Sequence, residues 1–422
     1  MNNVFLVFEP LNHMFKVIIA AKKRGLNIVV LHSMPLNCPP SFAEAANCID
    51  GAIEVKDWLD NEAIISAVDD VARDMKIVGT YAAAELTLYA EALTRKKYGL
   101  PVTPPEVIKN YLDKYNVRKK LHESGLTELK FIHGDEISKS DVWQFSGAAF
   151  FKPCCGAGST RVKKCLSIAD VREQEKLWLN KDEIFPPVLR TFIEHNNDYF
   201  VESAAEGELV SVECLVFNGE PNALGLSSRS LLRRNPTIEL GASFPYQHKY
   251  SAAIIDKVVN AHKVLGITHG PTHTEVMVSE DGKIEIIEVN LRMAGSDMLL
   301  VMSSGLKINF EELLVDLSIG KKPETDFSRE QHISAMQLVL APSGTSVFES
   351  IEFPAEVEYF RQLKQAGATM KSTDTEGDYI GSFIISAKNS EQLKEKVSAI
   401  RKNIRVNNSL IADTDNNDVI LA

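Results

Sequence analysis

The chain has 422 residues, of which 45% are hydrophobic and 24% charged, and this composition excludes a mostly disordered, collagen-like or coiled-coil protein. At roughly 100–200 residues per domain, the length predicts two to four domains or subdomains with a substantial core. Acidic residues outnumber basic ones by 57 to 46, and the formal net charge of -11 argues against nucleic acid and an anionic membrane surface as partners.

The first hundred residues alternate between short apolar runs and helical patterns. Three strands and two helices are predicted there: 4–8, 27–31 and 76–80 as strands, 15–24 and 64–73 as helices. Such alternation predicts parallel strands with crossover helices, a Rossmann-like layer in an α/β protein. The first strand is followed by FEPLNH and not by GxGxxG, so a nicotinamide-dependent dehydrogenase is poorly supported.

The proline-rich segment PVTPP ends this first layer. After it, the pattern predicts a helix over 106–124 with Gly125 as its C-cap, then strands at LKFIH and AAFFKP. Residues 170–180 are predicted to be helical, and the pattern from 191 to 217 returns to strands.

The second half of the chain begins with an apparently irregular stretch, 226–250. A helix over 251–265 precedes the strands HTEVMVS and KIEIIEVNLR, which the turn EDG joins as a hairpin. Helices over 308–319 and 390–404 follow, the second within a small α/β subdomain. We therefore divide the chain into four parts, 1–105, 106–204, 205–325 and 326–422.

The N-terminus and the cysteines predict a cytoplasmic protein. MNNVFLVFEP lacks the basic n-region of a signal peptide and is typical of a strand. No stretch approaches the ~20 apolar residues that a membrane helix needs. Six cysteines without a CxxC pair are expected to be reduced thiols.

The segment EIIEVNLRMAG carries the most informative pattern. Side chains two apart on a strand share a face, so Glu288, Asn290 and Arg292 are expected to point the same way. The residues between them are expected to face a core: Ile287, Val289 and Leu291. Glu275, on the partner strand of the hairpin, can add a second carboxylate. Such oxygen ligands suit Mg²⁺, although a polar strand end is usually a solvated edge.

A glycine-rich segment, FFKPCCGAGSTRV, follows an apolar strand. Glycines allow backbone N–H groups to close around an anion, and Lys152 would supply the positive charge. The loop comprises Gly156, Gly158, Ser159 and Thr160. It is not a Walker loop, because GxxxxGK[ST] is absent, and a simple hairpin turn is the alternative.

A third segment, YFVESAAEGELV, reads as a strand that leads into a short linker. Its backbone can meet an adenine edge near Glu202, and Glu208 can meet a ribose. An exposed acidic turn is the alternative.

Along the chain, the glycine-rich segment is followed by YFVESAAEGELV and then by EIIEVNLRMAG, with Lys114 upstream of all three. In that order the segments resemble the ATP-grasp superfamily over roughly residues 110–310. EVNLR is close to the family's E-x-N-x-R, and KPCCGAGS is similar to its glycine-rich loop. The match is weakest at Lys114, where Arg118, Lys119 and Lys120 compete for the same role. The resemblance implies a Rossmann-like pre-grasp domain, a small and a large ATP-grasp lobe of α+β type, and a C-terminal α/β subdomain.

The resemblance also implies a role for each motif residue. Lys114 and Lys152 resemble the lysines that hold ATP phosphates, and the glycine-rich loop resembles the cover of the γ-phosphate. Glu202 and Ala204 match the hinge that meets adenine, and Glu208 matches the ribose-binding carboxylate. The implied ligands of Mg²⁺ or Mn²⁺ are Glu275, Glu288 and Asn290. Arg292 resembles the arginine that stabilises an acylphosphate, and Lys152 and Arg292 are the implied catalytic residues.

Within the superfamily, EVNLRMAGSDM is most similar to the L-amino-acid ligases, including dipeptide-antibiotic ligases of the bacilysin and dapdiamide type. This resemblance implies a carboxylate–amine ligase with small-molecule substrates, and it leaves a homodimer open. Three arginines of segment 226–250 are candidates for a substrate carboxylate, and one glutamate for an ammonium group: Arg229, Arg233, Arg234 and Glu239. A solvated basic loop is their alternative. A carboxylase or acid–thiol ligase, and a non-catalytic nucleotide-binding module, are the competing hypotheses.

Overall fold

The computed structural model describes residues 2–11, 13–36, 38–156, 161–179, 198–324, 332–370, 378–411 and 419–420. The N-terminal layer is a four-stranded parallel sheet in the order β3-β2-β1-β4. Its strands are β1 Asn2–Phe8, β2 Asn27–His32, β3 Gly51–Glu54 and β4 Met75–Ala82. Its helices are α1 Met14–Lys23, α2 Asn61–Asp74 and α3 Glu85–Lys97, with a 3₁₀ segment over Pro40–Cys48. The predicted parallel layer is confirmed.

The helix predicted over 106–124 is instead two helices, α4 Pro105–Tyr111 and α5 Lys114–Glu123. Asp113 causes the break, because its carboxylate accepts hydrogen bonds from the backbone N–H groups of Tyr115 and Asn116 and so caps α5. The break puts Lys114 at the first position of α5. The Lys114 N–H donates to the carbonyl of Cys154 at 2.8 Å, which ties this helix end to the glycine-rich segment.

A small antiparallel sheet, in the order β5-β8-β6-β7, forms the first lobe after these helices. Its strands are β5 Phe131–His133, β6 Ala149–Pro153, β7 Lys163–Cys165 and β8 Tyr199–Ser203. Two helices accompany it, α6 Gly134–Ile137 and α7 Ile168–Leu179. The glycine-rich segment therefore lies between β6 and β7, as predicted.

The second lobe contains an antiparallel sheet in the order β10-β9-β13-β14. Its strands are β9 Glu208–Phe217, β10 Glu220–Ser227, β13 Gly270–Val278 and β14 Ile284–Asn290. Helix α8 Ser251–Leu265 has the predicted bounds, and α9 Met298–Leu306 and α10 Phe310–Ser318 follow the sheet. The hairpin predicted around EDG is confirmed as β13 and β14.

The prediction that 226–250 is irregular is wrong, because β11 Ser230–Leu232 and β12 Asn235–Phe244 lie within it. Both join a six-stranded sheet in the order β18-β20-β15-β12-β11-β23. The other strands of that sheet are β15 Ile333–Leu340, β18 Tyr359–Gln362, β20 Tyr379–Ala387 and β23 Val419–Ile420. β11 and β12 pair with each other, but their other partners, β23 and β15, come from the far C-terminal part of the chain. Local sequence therefore does not reveal the whole sheet.

The remaining C-terminal elements are short strands and one long helix. The strands are β16 Val347–Phe348, β17 Ile351–Glu352, β19 Ala368–Thr369, β21 Arg405–Val406 and β22 Ser409–Leu410. Helix α11, Ser390–Asn403, begins after Asn389, whose side chain accepts a hydrogen bond from the Gln392 N–H. Within the described residues, no helix combines the length and the apolar character that crossing a membrane requires.

Candidate active site

A cavity of about 240 Å³ lies between the two lobes. Six of the predicted site residues line it: Lys114, Lys152, Gly156, Glu202, Glu275 and Glu288. Its apolar wall is formed by Val117, Phe200, Leu209, Met277 and Ile287, among others. One cavity therefore combines an apolar slot, which suits a flat ring, with lysines and carboxylates.

Lys114 reaches into this cavity from the first turn of α5 and donates a hydrogen bond to Glu288. Burial opposes the charged form of Lys114, but the adjacent Glu288 carboxylate outweighs it and raises the pKa of the lysine. Of the three competing basic residues, Lys119 and Lys120 are exposed and Arg118 is buried. The geometry therefore favours Lys114 as the lysine at the cavity.

Arg118 also lines the cavity, but its guanidinium group bridges the two lobes. Its Nε lies 2.6 Å from the Glu202 carboxylate, and its guanidinium donates to the carbonyls of Ile286 and Ile287 at 2.6 and 3.0 Å. Lys152 donates to the other oxygen of Glu202. Burial of Glu202 opposes its ionisation, but Arg118 and Lys152 outweigh this and lower its pKa.

The predicted hinge comprises the end of β8 and the residues that follow it. Glu202 and Ser203 line the cavity, and so does Ala205. The N–H of Ala204 donates to the carbonyl of Ala148 at 2.9 Å, so this donor is already used within the protein.

The predicted metal ligands lie on adjacent strands in matching register. Glu275 of β13 pairs with Glu288 of β14, and His273 pairs with Asn290. Asn290 is 3% exposed, and its Oδ1 has no hydrogen-bond partner among the described residues. An orphaned buried oxygen beside two opposed carboxylates fits a hard cation such as Mg²⁺ or Mn²⁺.

One predicted side-chain direction on β14 is wrong. The pairing of β13 with β14 shifts after Glu275, because Val276 pairs with Ile286, and Ile287 is therefore an extra residue in a bulge. Ile286, Val289 and Leu291 belong to the core cluster, and the first two also line the cavity, whereas Ile287 lines the cavity and is outside that cluster. The bulge thus adds an apolar side chain to the cavity wall just before Glu288.

The Glu275 carboxylate is surrounded by two cationic groups. His273 Nε2 lies 3.5 Å from it and Arg229 Nη2 lies 3.7 Å from it. Burial disfavours the Glu275 anion, but His273 and Arg229 outweigh this and lower its pKa to about 2. Burial also disfavours the His273 cation, but the Glu213 carboxylate outweighs this and raises its pKa to about 9.

Arg292 follows β14 and is held by Glu85, a residue that sequence reasoning missed. Its Nε and Nη2 donate to one Glu85 oxygen at 2.8 and 2.6 Å. Glu85 is the first residue of α3 and lines the cavity. The available signal was its place directly after β4, at the carboxyl edge of the parallel sheet, where ligands of such layers bind.

The structure brings some of the other predicted residues to this region and leaves others outside it. Arg229 and Glu239 form an ion pair at 3.0 Å. Glu208 accepts a hydrogen bond from the Tyr246 hydroxyl at 2.6 Å and is not among the described residues that line the cavity. Arg233 and Arg234 lie in the exposed turn between β11 and β12. The predicted Gly158, Ser159 and Thr160 lie outside the described residues.

The carboxyl edge between β1 and β2 holds a carboxylate of the protein itself. Glu9 accepts hydrogen bonds from the Ser33 N–H at 2.8 Å and the Trp58 indole N–H at 2.9 Å, and also from the Ser33 hydroxyl. Glu9 is 2% exposed. A dinucleotide phosphate at this edge would meet that anion, which agrees with the missing glycine fingerprint.

Comparisons with known proteins give one matching family and several similar folds. The family described as "ATP-grasp domain" matches residues 147–299. An L-amino acid ligase from Bacillus licheniformis superposes with a TM-score of 0.77 and 20% identity, covering 96% of this chain and 98% of that one. The biotin carboxylase domain of 2-oxoglutarate carboxylase from Hydrogenobacter thermophilus, in complex with MgADP and bicarbonate, superposes with a TM-score of 0.69 and 16% identity. That match covers 95% of this chain and 90% of the other.

A curated relative, the uncharacterized protein y4rH of Sinorhizobium fredii, is 20% identical over 319 residues. The match covers 75% of this chain and 64% of that relative's length. These matches show that the chain contains an ATP-grasp domain over residues 147–299 and has the ATP-grasp fold.

Proposed function

We propose that the protein is an ATP-dependent carboxylate–amine ligase that forms an amide, such as a dipeptide, and releases ADP and phosphate. One observation carries this proposal: Lys114, Lys152 and the opposed pair Glu275 and Glu288 line one cavity, with Arg292 held beside it by Glu85. The similar structure from Bacillus licheniformis is that of an L-amino acid ligase, which supports an amino acid as the carboxylate substrate.

In this proposal Lys114 and Lys152 hold ATP phosphates, and the hinge at the end of β8 receives the adenine. A divalent cation held by Glu275, Glu288 and Asn290 would neutralise phosphate charge when bound. The reaction requires two anions, the substrate carboxylate and the γ-phosphate, to approach each other. Fixed cationic groups of the site would reduce the repulsion between them.

The chemistry has two steps. A substrate carboxylate oxygen attacks the γ-phosphorus and the bond to ADP breaks, which gives an acylphosphate. The amine nitrogen then attacks the acyl carbon, phosphate leaves with its oxygen from the carboxylate, and the nitrogen loses a proton. Arg292, fixed by Glu85, is the proposed partner of the negative charge on the acylphosphate and on its tetrahedral adduct.

The proposed substrate side lies around Arg229 and Glu239. This pair is 3.0 Å apart and Arg229 is also 3.7 Å from Glu275, so it lies next to the proposed metal ligands. We propose that a substrate carboxylate and ammonium group exchange with this pair. Arg233 and Arg234, on the neighbouring turn, are proposed to extend the same charged surface.

A screen of phosphate release over pairs of amino acids, including non-proteinogenic ones, tests the proposal. We expect release of ADP and phosphate only when both a carboxylate and an amine are present, with the amide detected by mass spectrometry. Release with bicarbonate alone would indicate a carboxylase, and release with coenzyme A as acceptor an acid–thiol ligase. Nucleotide binding without turnover on any pair would indicate a non-catalytic module. An active pair would also show whether a dipeptide antibiotic is a plausible product class.

A further inference from the structure

His273 lies between two carboxylates on the sheet of the large lobe. Its Nδ1 is 2.8 Å from Oε1 of Glu213, and its Nε2 is 3.5 Å from Oε1 of Glu275. His273 is 5% and Glu213 is 1% exposed. The Ser227 hydroxyl donates to the same Glu213 oxygen at 2.8 Å, so the outer end of this row is fixed by a hydrogen bond.

The register of the strands places Glu213, His273 and Glu275 in a row. His273 and Glu275 are two residues apart on β13 and therefore share a face, and His273 pairs directly with Glu213 of β9. Arg229 lies beside both His273 and Glu275. Its Nη2 donates to the Ser211 hydroxyl at 2.7 Å and lies 3.3 Å from His273 Nε2. The Glu275 carboxylate is thus bordered by groups that are themselves buried and hydrogen-bonded.

We propose that Glu213 and His273 are positioning residues that hold the Glu275 carboxylate in the orientation required by the divalent cation. This inference rests on the metal site of the proposed function. In metal sites generally, groups behind a ligand orient it, and their loss costs roughly 10- to 100-fold in metal affinity.

A purely structural role does not account for this row equally well. Another buried histidine, His262 of helix α8, packs against the opposite face of β13. Among the contacts of the described chain, it bonds only to the hydroxyls of Thr274 and Thr272, at 3.1 and 3.4 Å. Neutral partners therefore suffice for a core histidine here. Burying Glu213 and half-burying Glu275 beside His273 is costly compared with apolar packing, and a need to orient Glu275 explains why that cost is retained.

The test compares three variants of the full chain: His273→Leu, Glu213→Gln and, as matched control, His262→Leu. Mn²⁺ binding is titrated by the loss of the free-ion electron paramagnetic resonance signal in the presence of ADP. ADP binding is measured separately in EDTA, and folding is checked by circular dichroism. We expect His273→Leu to weaken Mn²⁺ binding by about 10- to 100-fold and Glu213→Gln by several-fold. ADP binding in EDTA should stay within about twofold, and His262→Leu should bind Mn²⁺ like the wild type.

Each outcome decides the proposal. Wild-type Mn²⁺ affinity in a folded His273→Leu variant, or an equal loss in His262→Leu, would overturn it. If His273→Leu does not fold, Glu213→Gln decides alone, because glutamine keeps the shape of the side chain and removes its charge. Failure of the wild type to bind Mn²⁺ with ADP would instead contradict the metal site of the proposed function itself.

Discussion

The Lys114 ammonium group donates a hydrogen bond to Glu288, so a lysine of the proposed phosphate site is held by a carboxylate of the proposed metal site. The same kind of pairing recurs around the cavity, in Lys152 with Glu202 and Arg292 with Glu85. In the proposed function, nucleotide phosphates and the metal ion would therefore replace the internal partners of these charged side chains. A cation at Glu288 would release Lys114 for phosphate.

The first prediction concerns this exchange. Glu288→Gln should raise the affinity for ATP in EDTA about tenfold, because Lys114 loses its charged partner, worth roughly 1.5 kcal/mol. Isothermal titration calorimetry in EDTA and in Mg²⁺ measures the effect. Glu275→Gln is the control, since it removes the same charge from the opposite strand without a hydrogen bond to Lys114. An equal gain in both variants would show general charge repulsion and not a specific Lys114–Glu288 pair.

The second prediction concerns Arg292. Arg292→Met should lower kcat about 10²- to 10³-fold, because the developing charge on the transferred group loses its partner. The KM for ATP should stay within about twofold, since Lys114 and Lys152 are unchanged. Steady-state ADP release measures both constants. Normal turnover in this variant would remove Arg292 from the mechanism.

The third prediction concerns the contacts by which Arg118 bridges the two lobes. Arg118→Met leaves Glu202 with one cationic partner and removes one hydrogen-bond donor from each of two backbone carbonyls of β14. We expect a loss of about 3–5 kcal/mol in the free energy of unfolding, the typical cost of breaking a buried ion pair. Urea denaturation measures it, and the exposed Lys119→Met is the control, expected to change stability by less than about 0.5 kcal/mol. Similar urea midpoints for Arg118→Met and Lys119→Met would contradict this bridging role of Arg118.

The fourth prediction concerns acid stability. Burial lowers the pKa of His262 to about 4, from an ordinary value of about 6.5. The unfolded chain therefore takes up a proton between pH 6.5 and 4 that the folded protein does not. The contribution of a neutral His262 is complete above pH 6.5 and is lost as the pH falls towards 4, by roughly 3 kcal/mol.

Unfolding of the wild type and His262→Gln, followed at intervals from pH 7 to pH 4, checks this sign. The wild type should lose stability more steeply than the variant over that window. Parallel curves would mean that His262 is not buried in its neutral form.

Local patterns predicted much of the fold, because they report on short-range physics. Helix α8 matches its predicted bounds, and the β13–β14 hairpin follows from alternation and the EDG turn. The break at Asp113 was missed because an apolar pattern continues across it, and only the capping bonds reveal it. Strand β12 was missed although it pairs with the neighbouring β11, because its other partner, β15, is distant in sequence and β11 is only three residues long.

The candidate site divides in the same way. The motif EVNLR and the glycine-rich segment are each continuous in sequence. The sequence was therefore enough to propose Glu288 and Arg292, together with Glu275 on the partner strand of the hairpin. Glu85 was not found, because it meets Arg292 across 207 residues of sequence. The position of Ile287 depends on a bulge that strict alternation along β14 does not predict.

The most direct test of the proposed ligase uses amino acids labelled with heavy oxygen in their carboxyl groups. The protein is incubated with ATP, Mg²⁺ and an active pair of amino acids, and the released phosphate is analysed by mass spectrometry. An acylphosphate predicts that each phosphate carries one labelled oxygen from the substrate, in step with amide formation. Unlabelled phosphate, or label recovered in AMP, would contradict the account.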